Sequence, residues 1–216
     1  MNSERTPAFP SRLPQVGTTI FTVMSALAAQ HQAVNLGQGF PDFDCDPGLV
    51  DGVTAAMKQG HNQYPPMTGV PGLRDAIAAK IEAIYGHCYD AASEITVTAG
   101  ATQAILTAIL CCAGPGDEVI VLEPCYDSYV PNIELAGASV VRVPLVPGSF
   151  RPDWDKIAAA LSPRTRAILI NSPHNPSGMV WSAADMRRLD ELLAPTDVLV
   201  ISDEVYEHMV YAPLRH

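Results

Sequence analysis

Four short β-branched runs in this chain give way at once to residues that can do chemistry. Ile95–Thr98 leads into Ala99, Gly100, Ala101 and Thr102, and Val119–Leu122 into Glu123-Pro124-Cys125-Tyr126. Ala167–Ile170 is followed by Asn171-Ser172-Pro173-His174-Asn175-Pro176, and Val198–Ser202 by Asp203-Glu204-Val205-Tyr206. Gly100 lets a ligand come close to the backbone, and a helix starting near Ala101 offers unpaired N–H groups at a positive dipole end. With the Thr102 hydroxyl beside them, a phosphate fits there. The same residues also suit an ordinary strand-to-helix turn capped by threonine.

Tyr126 can stack on a flat ring or simply pack. Asn175, in a loop fixed by Pro173, Pro176 and Gly178, can bond a ring oxygen or its own backbone. Asp203 poses the sharpest alternative, because a carboxylate ending a buried strand is costly unless partnered. Either one of the ten arginines pairs with it, or it faces an aromatic nitrogen and keeps that nitrogen protonated. Tyr206 lies on nearly the same side if a helical turn begins at Asp203.

The elements that must position these groups are legible in the hydrophobic rhythm. The runs around residues 94–98, 118–122, 139–143, 166–170 and 197–201 read as strands. Helical patterns at about 101–113, 126–136, 153–161 and 182–193 separate most of them. Strands alternating with helices predict an α/β fold, with a mainly parallel sheet covered on both faces. In such a sheet the carboxyl ends of all strands lie on one edge, where ligands bind. Residues scattered over a hundred positions therefore converge on one crevice.

Ahead of this region, helices are expected at about 20–30, with Thr18 or Thr19 as cap, and at about 47–59 and 70–85. The latter two end at Gly60 and Gly86, and Leu73, Ile77, Ile81 and Ile84 give the last of them one apolar face. Residues 1–19 read as an irregular arm.

Composition narrows the function classes. A chain of 216 residues with 48% hydrophobic and 17% charged residues is globular. Its formal net charge of −10 argues against nucleic-acid or anionic-membrane partners. The opening residues lack an apolar core behind their charge, which predicts no signal peptide. Five cysteines without a C-x-x-C pair fit free thiols in a reducing cytoplasm and give no metal site.

A phosphate seat, a stacking ring, an amide, a ring-nitrogen carboxylate and a phenol together describe a pyridoxal 5'-phosphate site. The order of these motifs resembles the class I/II, fold-type I aminotransferases. The group of methionine and kynurenine aminotransferases is most similar, through "NLGQGFPDFD", "NQYPPMTGVPGLRDAI", "TVTAGATQA", "EPCYDSY", "NSPHNPSG" and "VISDEVYEH". The resemblance implies a three-layer α/β/α, fold-type I architecture. Residues 1–45 would be an amino-terminal arm with the start of a small domain, and 46–216 an incomplete large domain.

It also implies roles. Gly100, Ala101 and Thr102 hold the phosphate, Tyr126 stacks on the pyridine ring, and Asn175 and Tyr206 bond its phenolic oxygen. Asp203 pairs with the ring nitrogen, Gly39 and Asn175 meet the substrate carboxylate, and Tyr64 reaches the phosphate of the partner subunit in a homodimer. His174 receives no catalytic role, Glu204 is structural, and Cys125 is a packed small residue. Substrates are an amino acid of methionine or aromatic type and a 2-oxo acid.

The family's Schiff-base lysine is not matched. The chain's lysines are Lys58, Lys80 and Lys156, none in a Ser-x-Ser-Lys-like segment. Arginines for the phosphate and for the substrate carboxylate are also unmatched, as are strands that relatives place between the "ITVT" and "VLVIS" strands. The expectation is the amino-terminal part of an aminotransferase, inactive by itself. A carbon–sulfur β-lyase or a non-catalytic cofactor-binding remnant are the alternatives. A nicotinamide-binding domain is disfavoured, because "TAGATQA" lacks the three-glycine spacing.

Overall fold

The computed structural model describes residues 11–39 and 41–216. These residues divide into two compact units, one of residues 18–98 and the other of residues 11–17 with 99–216. The first ten residues of the expected arm lie outside the described residues.

The first unit is helical. Helix α1 (Ile20–Gln30) is capped by Thr19, whose hydroxyl accepts from the Thr22 N–H at 3.3 Å. Helix α2 (Pro47–Lys58) starts on Asp46, which accepts from the Gly48 N–H at 2.7 Å, with proline in the first turn. Helix α3 (Pro71–Tyr85) again starts on proline and ends on Gly86, left-handed at φ 71°. The apolar face of α3 is only partly covered, since Leu73 stays 45% and Ile84 52% exposed.

The expected strand at residues 94–98 does not form. Its Val97 N–H donates to Thr68 O at 3.0 Å, but the segment joins no sheet among the described residues. A β-branched run favours an extended backbone, yet a strand also needs a neighbour to complete its ladder.

The second unit is the predicted α/β layer structure. Strands β1 (Glu118–Glu123), β2 (Ser139–Pro144), β3 (Thr165–Asn171) and β4 (Leu199–Asp203) form one parallel sheet in the order β2-β1-β3-β4. Side chains alternate across it. Val119, Val121, Ala167 and Leu169 join Ile105 of helix α4 (Ala101–Cys112) and Ile133 of helix α5 (Tyr129–Ala136) in one core. Ile120, Ile168 and Ile170 point the other way, to Ile157 of helix α6 (Trp154–Ala160) and Leu189 of helix α7 (Ala183–Leu193). The central strands β1 and β3, near-continuous in apolar residues, are therefore buried on both faces, as parallel sheets require.

Helix α5 begins at Tyr129 rather than near residue 126, because Tyr126 O accepts from the Tyr129 N–H at 3.2 Å and residues 126–128 form a turn. A reciprocal capping box of Ser182 and Asp185 starts α7, reinforced by the Arg151–Asp185 pair at 2.7 Å. Strand β4 is a sheet edge, and its Leu199 and Val200 remain 55% and 44% exposed.

Candidate functional site

The carboxyl ends of β1, β3 and β4 and the amino end of α4 surround one cleft of ≈ 260 Å³. Its walls include Gly100, Ala101, Thr102, Tyr126, Asn175, Asp203 and Tyr206, seven residues singled out from sequence. Tyr129, Asn171 and Val205 line it too.

Each wall has a local cause. Gly100 precedes α4 at φ 84° and ψ 167°, a backbone that side-chain-bearing residues avoid. No side chain caps α4 at Gly100; instead Gln103 Oε1 reaches back to accept from the Ala99 N–H at 2.6 Å. The expected threonine-capped turn is thus not what forms, because Thr102 lies inside the helix. The first-turn N–H groups of a helix have no intrahelical acceptor, which leaves this end suited to an anion.

Across the cleft, Asp203 is buried, and its partners among the described residues are not arginines. Tyr129 donates its hydroxyl to Asp203 Oδ2 at 2.6 Å, and the Val205 N–H donates to Oδ1 at 3.2 Å. Burial, and then the bond to Asp203, raise the Tyr129 phenol far above the ordinary tyrosine range. Asn171 pairs with Asp203 in register; its side-chain N–H donates to Asp203 O at 2.8 Å, while its Oδ1 accepts from the Asn175 N–H at 2.7 Å. This amide thereby fixes the loop that carries Asn175, whose own side chain is not used in a local turn.

Tyr126 lies edge-on to Tyr129, with ring centroids 5.8 Å apart, so it packs and lines the cleft at once. Tyr206 reaches the same cleft as Asp203 through turns rather than a helix, with the Glu207 N–H bonded to Glu204 O at 2.9 Å.

Three neighbours stand outside the cleft lining. His174 is buried between Ser177 Oγ, 2.6 Å from Nδ1, and Pro124 O, 2.9 Å from Nε2, and burial holds its pKa below the usual histidine value. Glu204 is exposed and meets Ser202 and His216. Cys125 is half-buried, and burial pushes its thiol up to about 11. Gly39 and Tyr64 belong to the helical unit, Tyr64 fully exposed and Gly39 with open space where a Cβ would stand. No lysine lines the cleft: Lys58 lies in α2, Lys80 in α3, and Lys156 in α6 pairs with Asp153 at 2.8 Å. No group of metal-ligating side chains occurs among the described residues, and none of their helices is long and apolar enough to cross a membrane.

Sequence reasoning missed Tyr129 and Asn171. Tyr129 stands three residues beyond Tyr126, a spacing that could have flagged it. Asn171 was visible only as the residue ending β3, with no cue to its partner.

A parallel sheet covered by helices on both faces, with a buried carboxylate at its carboxyl edge, is the α/β architecture of the fold-type I aminotransferases. The family model for aminotransferase class I and II matches residues 31–216, and the chain belongs to that family. It is 54% identical over 211 residues to the methionine aminotransferase of Escherichia coli K12, covering 97% of this chain and 55% of that protein. Among solved structures, YbdL from Escherichia coli, described as having a methionine aminotransferase function, superposes with a TM-score of 0.90 at 56% identity, over 94% of this chain and 53% of that one. The N-succinyldiaminopimelate aminotransferase from Mycobacterium tuberculosis gives 0.92 at 49% identity, over 97% and 55%. The chain thus spans about half the length of these relatives.

Proposed function

We propose that this cleft binds pyridoxal 5'-phosphate, and that the chain is the amino-terminal part of an enzyme transaminating an amino acid of methionine or aromatic type. The single observation that carries this reading is the shared cleft of Asp203, Tyr126, Asn175, Tyr206 and the amino end of α4. Bound there, the cofactor supplies an electron sink for chemistry at an amino acid's α-carbon.

The residues present fit that group. The first turn of α4 and the Thr102 hydroxyl would take the phosphate, and the Tyr126 ring would cover one face of the pyridine. Asp203, braced by Tyr129, would keep a proton on the ring nitrogen, while Asn175 and Tyr206 would donate to the phenolic oxygen. The homodimer, with Tyr64 meeting the partner's phosphate and Gly39 the substrate carboxylate, belongs to the same proposal. A relative named for methionine, 54% identical, supports that substrate class.

The chain by itself should be inactive, since no lysine lines the cleft to hold the cofactor covalently or to move its protons. Losing proton transfer alone costs roughly 100- to 10,000-fold. The test is a titration of the 216-residue chain with pyridoxal phosphate, followed by borohydride reduction and a methionine/2-oxo acid assay. Reversible binding, weakened in Asp203→Asn, with no reduced protein adduct and no turnover is expected. Absence of saturable binding would refute the cofactor assignment, and turnover near a full-length relative's would refute inactivity.

A further inference from the structure

His174 lies just outside the cleft, yet it touches both loops that supply its planar walls. Its Nε2 is 2.9 Å from Pro124 O, two residues before Tyr126, and its own backbone precedes Asn175. A carbonyl oxygen only accepts, so Nε2 carries the ring proton. In the neutral ring Nδ1 is then the acceptor of the Ser177 hydroxyl at 2.6 Å. Ser177 Oγ in turn accepts from the Met179 N–H at 3.2 Å. The donors run in one direction, Met179 to Ser177 to His174 to Pro124, and every polar atom of the ring is satisfied.

The backbone around the ring is closed as tightly. The His174 N–H donates to Met179 O at 2.8 Å, and His174 O accepts from the Gly178 N–H at 2.7 Å. The backbone that carries the ring is therefore held in place, and the ring cannot swing without losing its bonds to Ser177 and Pro124. At 6% exposure, losing either partner leaves a buried polar group unpaired. The lowered pKa caused by burial agrees with a neutral ring.

We infer that His174 is a positioning residue, a one-ring strut between the loop after β1 and the loop after β3 that sets the gap between the Tyr126 ring and the Asn175 amide. This rests on the cofactor reading above, because that gap would be the slot for the pyridine ring. Its neighbours explain why a strut is needed there. Asn171 ties the Asn175 loop to β4, whereas His174 ties it to the opposite neighbour, β1. Without His174 the loop carrying Tyr126 would keep its own turn but lose this side-chain link to Asn175.

The test compares two substitutions in the 216-residue chain. Glutamine carries an N–H at the reach of Nε2, while asparagine reaches only as far as Nδ1. His174→Asn should raise the pyridoxal phosphate Kd about tenfold, and His174→Gln should stay within about threefold of wild type. Equal weakening by both, or none by Asn, overturns the strut. If the Asn variant does not fold, Ser177→Ala replaces it, with a Kd about threefold higher expected and an unchanged Kd overturning the inference. Fluorotyrosine NMR of the cofactor-free chain separates this from the functional reading. The Tyr126 resonance should shift in His174→Asn and hold in His174→Gln even if wild type binds no cofactor. An unshifted Tyr126 in the Asn variant overturns the strut by itself.

Discussion

The Tyr129 hydroxyl sits 2.6 Å from Asp203 Oδ2, joining the first residue of α5 to the last residue of β4 across 74 positions of sequence. Both residues are buried, with Tyr129 only 2% exposed, so the bond is shielded from water. It orients the carboxylate that faces the cleft and gives one of its oxygens a donor.

Tyr129→Phe removes that donor while keeping the ring. A buried carboxylate then loses a hydrogen bond that water cannot readily replace, a change worth about 2 kcal/mol. The expected result is a urea midpoint lowered at unchanged denaturant slope, which keeps the effect in the folded state. A midpoint equal to wild type would show that Asp203 finds another donor.

The same pair predicts an alkaline limit. Burial first, and the bond to Asp203 second, raise the folded-state phenol pKa above its unfolded value. That contribution is therefore fully present below the unfolded phenol pKa, about 10, and is lost as pH rises beyond it toward the folded value. Unfolding free energy measured between about pH 8 and 11 should fall at the alkaline end for wild type and fall less for Tyr129→Phe. Parallel curves would remove Tyr129 as the cause.

How far the sequence reveals this arrangement depends on how local each cause is. Caps at Thr19, Asp46 and Ser182 and the terminal Gly86 are short-range chemistry, and the helices they bound match their expected spans closely. The alternating layers follow from strand–helix order. The run at 94–98 fails as a strand because pairing depends on a partner that no local pattern specifies. Asp203 was legible as a buried carboxylate, but Tyr129 as its partner was not, since the contact exists only once α5 docks on the sheet. Asn171 and His174 share that opacity, for their bonds run between separate strands and loops.

Gly100→Ala tests the turn before α4 at the level of the backbone. An added Cβ would meet nothing within 4 Å, so crowding is excluded. The cost comes from φ 84° with ψ 167°, a region essentially reserved for glycine, and is of order 1–3 kcal/mol. Denaturant unfolding should show that loss. A neutral result would mean that the turn before α4 relaxes to an ordinary conformation at no cost.

The edge of the sheet predicts association. Strand β4 offers one unpaired backbone edge, and Leu199 and Val200 beside it are largely exposed. Such edges template pairing with further strands unless charge or a covering element blocks them. Light scattering of the 216-residue chain should therefore rise steeply with concentration. Val200→Lys should suppress that rise without unfolding the core, because Ile168, its register partner in β3, keeps its cover from α6 and α7. If scattering persists in the lysine variant while far-UV circular dichroism is unchanged, the association surface lies elsewhere, with the exposed apolar residues of α3 as the next surface to substitute.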